Sequence, residues 1–335
     1  VLFRFHQPNV NQILIQNLVV LLSKNREKGE KDMAVKTVQT VINGQTYTLT
    51  LNSSTGKYEA TVTAPSKSSY NQSGHYYPVK VTATDEAGNS TSKDASDSTL
   101  GSSLRLTVKE KVAPVIAIVS PTAGSFSTNS KPTITWKVTD VDSGVNPATI
   151  GITLDSGTNV TGDAITKTAI TGGYQCTYTP TTALSDGSHT IKLDASDYDG
   201  NAAATSSTSF KVDTVPPVLT LSSPTDKLIT NQTACTVKGT TNDATNSPVT
   251  VTVKLNSGAA EAVTVGSDGS FSKALTLAVG TNTITVVATD GAGKTTTITR
   301  TVTLDKTAPV IKSVTLTPNP VDAGKTFIIS VEVTD

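Results

Sequence analysis

The sequence predicts an all-β fold arranged as several sandwich domains in tandem. Three observations predict it: 60 of the 335 residues are threonine, apolar and polar residues alternate in short runs, and Gly, Asn, Asp and Pro punctuate those runs. Threonine and valine fit a half-buried pleated surface, and a period of two turns one side of each run inward. Turn residues at the ends of such runs make hairpins. After residue 33 no stretch sustains three turns of 3.6-residue periodicity.

Residues 1–32 stand apart, with neither Ala nor Thr. Their apolar run ILIQNLVVLL is too short to span a bilayer, and Gln16 and Asn17 interrupt it. Lys24, Arg26, Glu27 and Lys28 follow where a secretory signal would place small residues and a cleavage site. The run Lys-Gly-Glu-Lys-Asp before Met33, the single Met, can be encoded by a purine-rich stretch at a ribosome-binding distance. Translation is therefore expected to start at Met33, with 1–32 an untranslated leader read in frame.

The first β element is the hairpin VKTVQTVINGQTYTLTL, in which Asn43-Gly44 supplies the positive-φ pair of a tight primed turn. Strands are expected next at YEATVT, YPVKVTATD and LRLTVKE. The chain then repeats itself. Junctions at Pro114, Pro217 and Pro309 (KVAPVIAIVSP, VDTVPPVLTLSSP, LDKTAPVIKSVTL) are 103 and 92 residues apart. Hairpins at Asp85, Asp197 and Asp290 (VTATDEAGNSTS, LDASDYDGNAAA, VVATDGAGKTTT) are 112 and 93 apart. Proline fixes φ and cannot donate to a central ladder, so each junction belongs on an edge strand or linker. A unit of this size, with about seven strands, has the grammar of an immunoglobulin-like sandwich.

The expected domains are 33–111, 112–214 and 215–306, with 307–335 the opening of a fourth, because KTFIISVEVTD matches KPTITWKVTD ending at Asp140. Two strands cannot bury a core, so the chain is read as a fragment of a longer protein.

The D-x-x-A-P-V-type junctions and A-T-D-x-A-G-N/K hairpins resemble the bacterial immunoglobulin-like repeat families of surface adhesins and of phage tail and capsid proteins. The likeness covers nearly all of 33–335 and implies tandem immunoglobulin-like β-sandwiches. It implies stalks, spacers, decorations or sugar binders, since one fold hosts many functions. The antibody pattern of paired Cys around a Trp is missing: Trp136 lacks that disulfide partner.

Charge narrows the partners. With 27 Lys+Arg against 27 Asp+Glu and no basic cluster after residue 32, neither nucleic acid binding nor membrane insertion is expected. Cys176 and Cys235 flank a domain boundary and read as buried small residues without a role.

Catalysis finds no footing. GAGKTT at 291–296 lacks the first Gly of a phosphate loop, which would fall at Ala288, and precedes a strand instead of a helix, so a hairpin turn with Gly293 at positive φ is expected. His6, His75 and His189 lie apart, with no nucleophile elbow and no zinc motif; His189 reads as a strand residue.

Two candidate sites remain. Asp140 and Asp142 in TDVDSG, with Asp194, Asp197, Asp199 and Asn201 in LDASDYDGN, could supply the six to eight oxygens that calcium takes at a domain end. The family resemblance also implies calcium near domain junctions, while turn chemistry alone would place the same residues there. The cluster SYNQSGHYYPV places Tyr70, His75, Tyr76 and Tyr77 on a polar loop, where tyrosines serve either as binding contacts or as plugs of the sandwich end.

The expectation is a non-enzymatic spacer or display element of a phage virion that requires no cofactor, its partners a bacterial surface glycan or other virion proteins. The alternative is the stalk of a secreted bacterial cell-surface adhesin, outside the cell. A third reading makes these repeats accessory domains of a larger surface hydrolase.

Overall fold

The computed structural model describes residues 34–243 and 248–335; the leader expected at 1–32 lies outside them. The chain divides into two compact units: residues up to 123 with 133–180 and 189–209, and 124–132 with 181–188 and 210–335.

The first unit opens on the Asn43-Gly44 hairpin. Val35–Ile42 pairs antiparallel with Gln45–Asn52, and the turn has Asn43 at φ 48° and Gly44 at φ 74°. The sheet runs Lys57–Glu59, Gln45–Asn52, Val35–Ile42, Tyr77–Asp85, Ser90–Lys93, with Arg105–Leu106 on the start of Tyr77–Asp85. Strand YPVKVTATD forms as its alternation predicts, whereas YEATVT and LRLTVKE keep only three and two strand residues. The stretch between them carries Pro65 and a Ser-Lys-Ser-Ser run, which breaks the apolar alternation. It covers the core with the 3-10 turns Ser69–Asn71 and Ser73–His75. All six strands thus join in one sheet, over a core of Val38, Ile42, Leu49, Tyr77, Val79, Val81 and Leu104.

The same unit holds a second sheet ordered Thr166–Ile170, Gly173–Tyr178, Ile134–Thr139, Val115–Ser120, and the pair Gly151–Leu154 with residues 191–194. Pro114 precedes the edge strand, as its missing N–H requires. Ile134, Trp136 and Val138 are wholly buried, alternating with Thr135 and Lys137. Cys176 stands opposite Trp136 and is equally buried.

In the second unit, Val218–Ser223, Ala234–Asn242 and Ser270–Thr276 form one sheet. Leu228–Thr230, Thr295–Leu304, Gly280–Thr289, Thr250–Leu255 and Glu261–Val263 form the other. Leu219, Val237 and Phe271 from the first sheet pack with Val251, Val253, Ile284, Val286 and Val302 from the second in one core. Outward, Thr281, Thr283, Thr285 and Thr289 stand opposite Thr303, Thr301, Thr299 and Thr295. GAGK is the hairpin turn between these two strands, with Gly293 at φ 86°. Phe126–Ser127 pairs parallel with residues 211–212, and Val310–Thr317 pairs with Ile328–Thr334. No described helix is long and apolar enough to cross a membrane.

Candidate cation-binding carboxylate triads

Three carboxylates meet in the first unit. Glu110 follows the last strand of the first sheet, Asp140 ends the strand Ile134–Thr139, and Asp197 opens the hairpin loop after Gly187–Asp194. One oxygen of each lies within 4.8 Å of the others. Asp140 and Asp197 are buried.

The backbone holds these groups in place. Asp140 Oδ1 accepts the N–H of Asp142 at 3.0 Å and of Gly144 at 2.7 Å, while Oδ2 is buried without a partner. Asn201 donates its N–H to Asp197 Oδ1 and its Nδ2 to Oδ2, both at 2.7 Å, and Nδ2 also reaches the Glu110 carbonyl. Glu110 Oε1 accepts the Ser143 N–H at 2.9 Å, and its Oε2 has no partner. Among the described residues none of the three forms an ion pair.

The remaining acidic candidates serve around this triad. Both Asp142 oxygens accept the Ser68 N–H, at 3.2 and 3.1 Å, and the Asp142 carbonyl accepts from Asn71. Asp199 accepts the Glu110 N–H at 3.0 Å, and its carbonyl accepts from Lys109. Asp194 lies apart, pairing with Gly151 in the sheet. The structure therefore gathers Asp140 and Asp197, adds Glu110, and leaves Asp142, Asp199 and Asn201 as buttresses.

A second triad occurs in the other unit: Asp213, Asp243 and Asp290, exposed by 0%, 9% and 5%, again with one oxygen of each within 4.8 Å of the others. Asp290 Oδ1 accepts the N–H of Ala292 and Lys294, and its Oδ2 is buried without a partner. At such a separation two ionised carboxylates repel by about 3 kcal/mol at an effective dielectric near 20. Desolvation adds to that cost wherever such charges are held out of water. Oxygen-only ligand sets suit hard divalent ions.

Glu110, Asp213 and Asp243 belong to no acidic loop motif, because each triad draws its members from separate segments. The available signal was spacing: an acid after the last strand of one repeat, then another thirty residues on, recurs at 110 and 140, 213 and 243, 305 and 335.

The aromatic candidates split. Tyr70 stacks between His75, with centroids 4.3 Å apart, and Tyr198, 4.1 Å apart. His75 Nδ1 also contacts the Tyr70 carbonyl at 2.5 Å. Tyr77 is 4% exposed within the core, its hydroxyl donating to the Lys67 carbonyl and its pKa pushed up by burial. Tyr76 lies under Arg105, 4.9 Å from its ring centre. Tyr76 and Tyr77 line a groove of about 640 Å³ with Asn43, Gln72, Lys80 and Asp94.

The family model of a bacterial Ig-like domain matches residues 121–214. The chain is a tandem immunoglobulin-like repeat protein. Within this tandem repeat, residues 217–306 match the model of domain B of glucodextranase. No curated protein matches the sequence. Among solved structures, the fibronectin(III)-like modules of Clostridium thermocellum CbhA are 19% identical, covering 57% of this chain and 94% of that one, with a TM-score of 0.35. A tetra-tandem repeat from the extending region of a large adhesion protein is 21% identical, covering 90% and 82%, with a TM-score of 0.32. Sidekick-1 immunoglobulin domains 1–5 are 12% identical, covering 84% and 56%, with a TM-score of 0.37.

Proposed function

We propose that this tandem repeat is a non-catalytic spacer or display module outside the cell, carried on a phage particle and making weak contacts with host-surface glycan. The observation that carries the reading is how its polar groups are spent. Glu110, from the segment after the first sheet, meets Asp140 and Asp197 from loops of the next, so buried charge is invested in a joint between repeats. The two described histidines are spent likewise: His75 on the Tyr70 stack and His189 on Asp155.

Calcium at Glu110, Asp140 and Asp197 would complete that joint, with the orphaned oxygens of Asp140 and Glu110 as ligands. A melting temperature that rises with millimolar calcium and falls with EDTA supports this; one that moves with neither removes the metal. The groove walled by Tyr76 is the proposed glycan contact, tested by whether Tyr76→Ala abolishes retention on host cell-wall polysaccharide while leaving the melting temperature in place.

The match of 217–306 to glucodextranase domain B favours a second reading, in which the repeats are accessory domains of a surface hydrolase. The adhesin stalk stands beside it. One experiment separates the three: an antibody against this chain applied to fractionated native culture. Label on released particles is the expected result. Label on the cell envelope replaces the virion with an adhesin, and label on a larger polypeptide with glycosidase activity makes the repeats accessory domains.

A further inference from the structure

We propose that Tyr70 and Tyr198 form an oxidative cross-linking site, at which a carbon–carbon bond between the two phenol rings ties the first repeat to the second. It goes beyond the spacer reading and stands on the ring pair alone.

The two rings are held as a reactant pair in contact. They stack with centres 4.1 Å apart and planes 11° from parallel. Burial pushes the Tyr198 phenol up, and the Tyr70 phenol beside it pushes the same way, so the two hydroxyls are neighbours in the stack. This arrangement brings the ring carbons next to each oxygen near their counterparts.

One loop holds both rings. Asp142 accepts the Ser68 N–H on its carboxylate and the Asn71 side chain on its carbonyl. Ser68 Oγ in turn accepts the Tyr70 N–H at 3.0 Å, and Tyr198 donates its own N–H to the Gly144 carbonyl at 3.1 Å. Residues 142–144 thus bracket two tyrosines from distant parts of the chain. His75 covers the other face of Tyr70, with ring centres 4.3 Å apart, which leaves Tyr198 as the phenol against the remaining face. Tyr198 is 38% exposed, so an oxidant in solution reaches the pair. Groups held this way react with each other in preference to groups that must meet by collision between chains.

The oxidant is hydrogen peroxide, used through a haem peroxidase. Each phenol gives up one electron and its hydroxyl proton, which leaves two tyrosyl radicals. The peroxide takes up the two electrons and two protons and becomes two waters. The radicals couple through a new bond between ring carbons ortho to oxygen. The hydrogen on each of those carbons then moves to the oxygen beside it, and both phenols are restored. The product is dityrosine, two hydrogens lighter than the starting pair. Such a tie between distant residues restricts the unfolded chain far more than the folded one, so oxidation raises the melting temperature.

The test is oxidation of the full chain, at low protein concentration, with hydrogen peroxide and a haem peroxidase. The expected product is a monomer lighter by two hydrogens, with dityrosine fluorescence and a linked peptide pair that contains Tyr70 and Tyr198. Tyr70→Phe and Tyr198→Phe each keep a ring in the stack, and each is expected to lose both this product and the rise in melting temperature that follows oxidation. A linkage that survives in either variant, or one that maps to other tyrosines, overturns the proposal. Covalent dimers in place of the monomeric product, or no loss of two hydrogens from the wild type, overturn it as well.

Discussion

Tyr70 and Tyr198 lie face to face, their ring centres 4.1 Å apart and their planes 11° from parallel. Tyr70 belongs to the first six-stranded sheet's covering loop, and Tyr198 to the loop that carries Asp197. Stacked aromatic pairs contribute about 0.5–1.5 kcal/mol beyond the area they bury. A double-mutant cycle with Tyr70→Ala and Tyr198→Ala, followed by urea unfolding, should return a coupling energy in that range. Additive effects would show that the stack contributes nothing to holding the joint.

Tyr76 and Tyr77 should separate cleanly. Tyr77→Ala removes a buried ring and its hydrogen bond to the Lys67 carbonyl, at a cost of roughly 3–5 kcal/mol. Tyr76 is partly exposed, and Tyr76→Ala should cost less than about 1 kcal/mol. Chemical denaturation followed by circular dichroism reads both.

Asp155 gives a pH dependence with a definite sign. Burial pushes its carboxyl up, but hydrogen bonds from His189, at 2.9 Å, and from Thr190 hold it below the usual carboxylate range. A depressed folded pKa gives stability that is complete above the ordinary aspartate value and is lost as pH falls through the folded one. Unfolding free energy should therefore decline on acidification below about pH 4. Asp155→Asn should flatten that part of the profile. An unchanged slope in the variant would assign the acid sensitivity to other carboxylates.

Cys176 should be silent in the native protein. It is wholly buried, and burial pushes its thiol up to about 11. Thiolate is the reactive form, so Ellman's reagent should modify Cys176 only after unfolding. Rapid reaction at pH 8 without denaturant would reveal an opening of the Thr166–Ile170 edge.

Sequence alone carried the fold far, and the candidate site only partly, for one physical reason. Strand alternation, the Asn43-Gly44 turn and the prolines before edge strands are local signals, and YPVKVTATD and the hairpin at Gly293 appear where those signals put them. The carboxylate triads are assembled from three segments that no local motif unites. Asp140 and Asp197 were visible as acidic turn residues, yet Glu110 lies in an unremarkable Val-Lys-Glu-Lys and becomes legible only through its distance from Asp140. Similarly, Tyr77 and Tyr76 are adjacent and chemically identical, and only the pleat of Tyr77–Asp85 turns one inward.

The paired threonines of Gly280–Thr289 and Thr295–Leu304 uncouple two properties that usually travel together. A β-branched side chain gives a strand its preference for extended backbone, but in valine or isoleucine the same branch makes an exposed strand adhesive. Threonine keeps the branch and puts a hydroxyl on it, so this sheet face has the stiffness of a valine sheet and the wettability of a serine loop. Such a face can stand in water without the apolar adhesion that a valine face would bring.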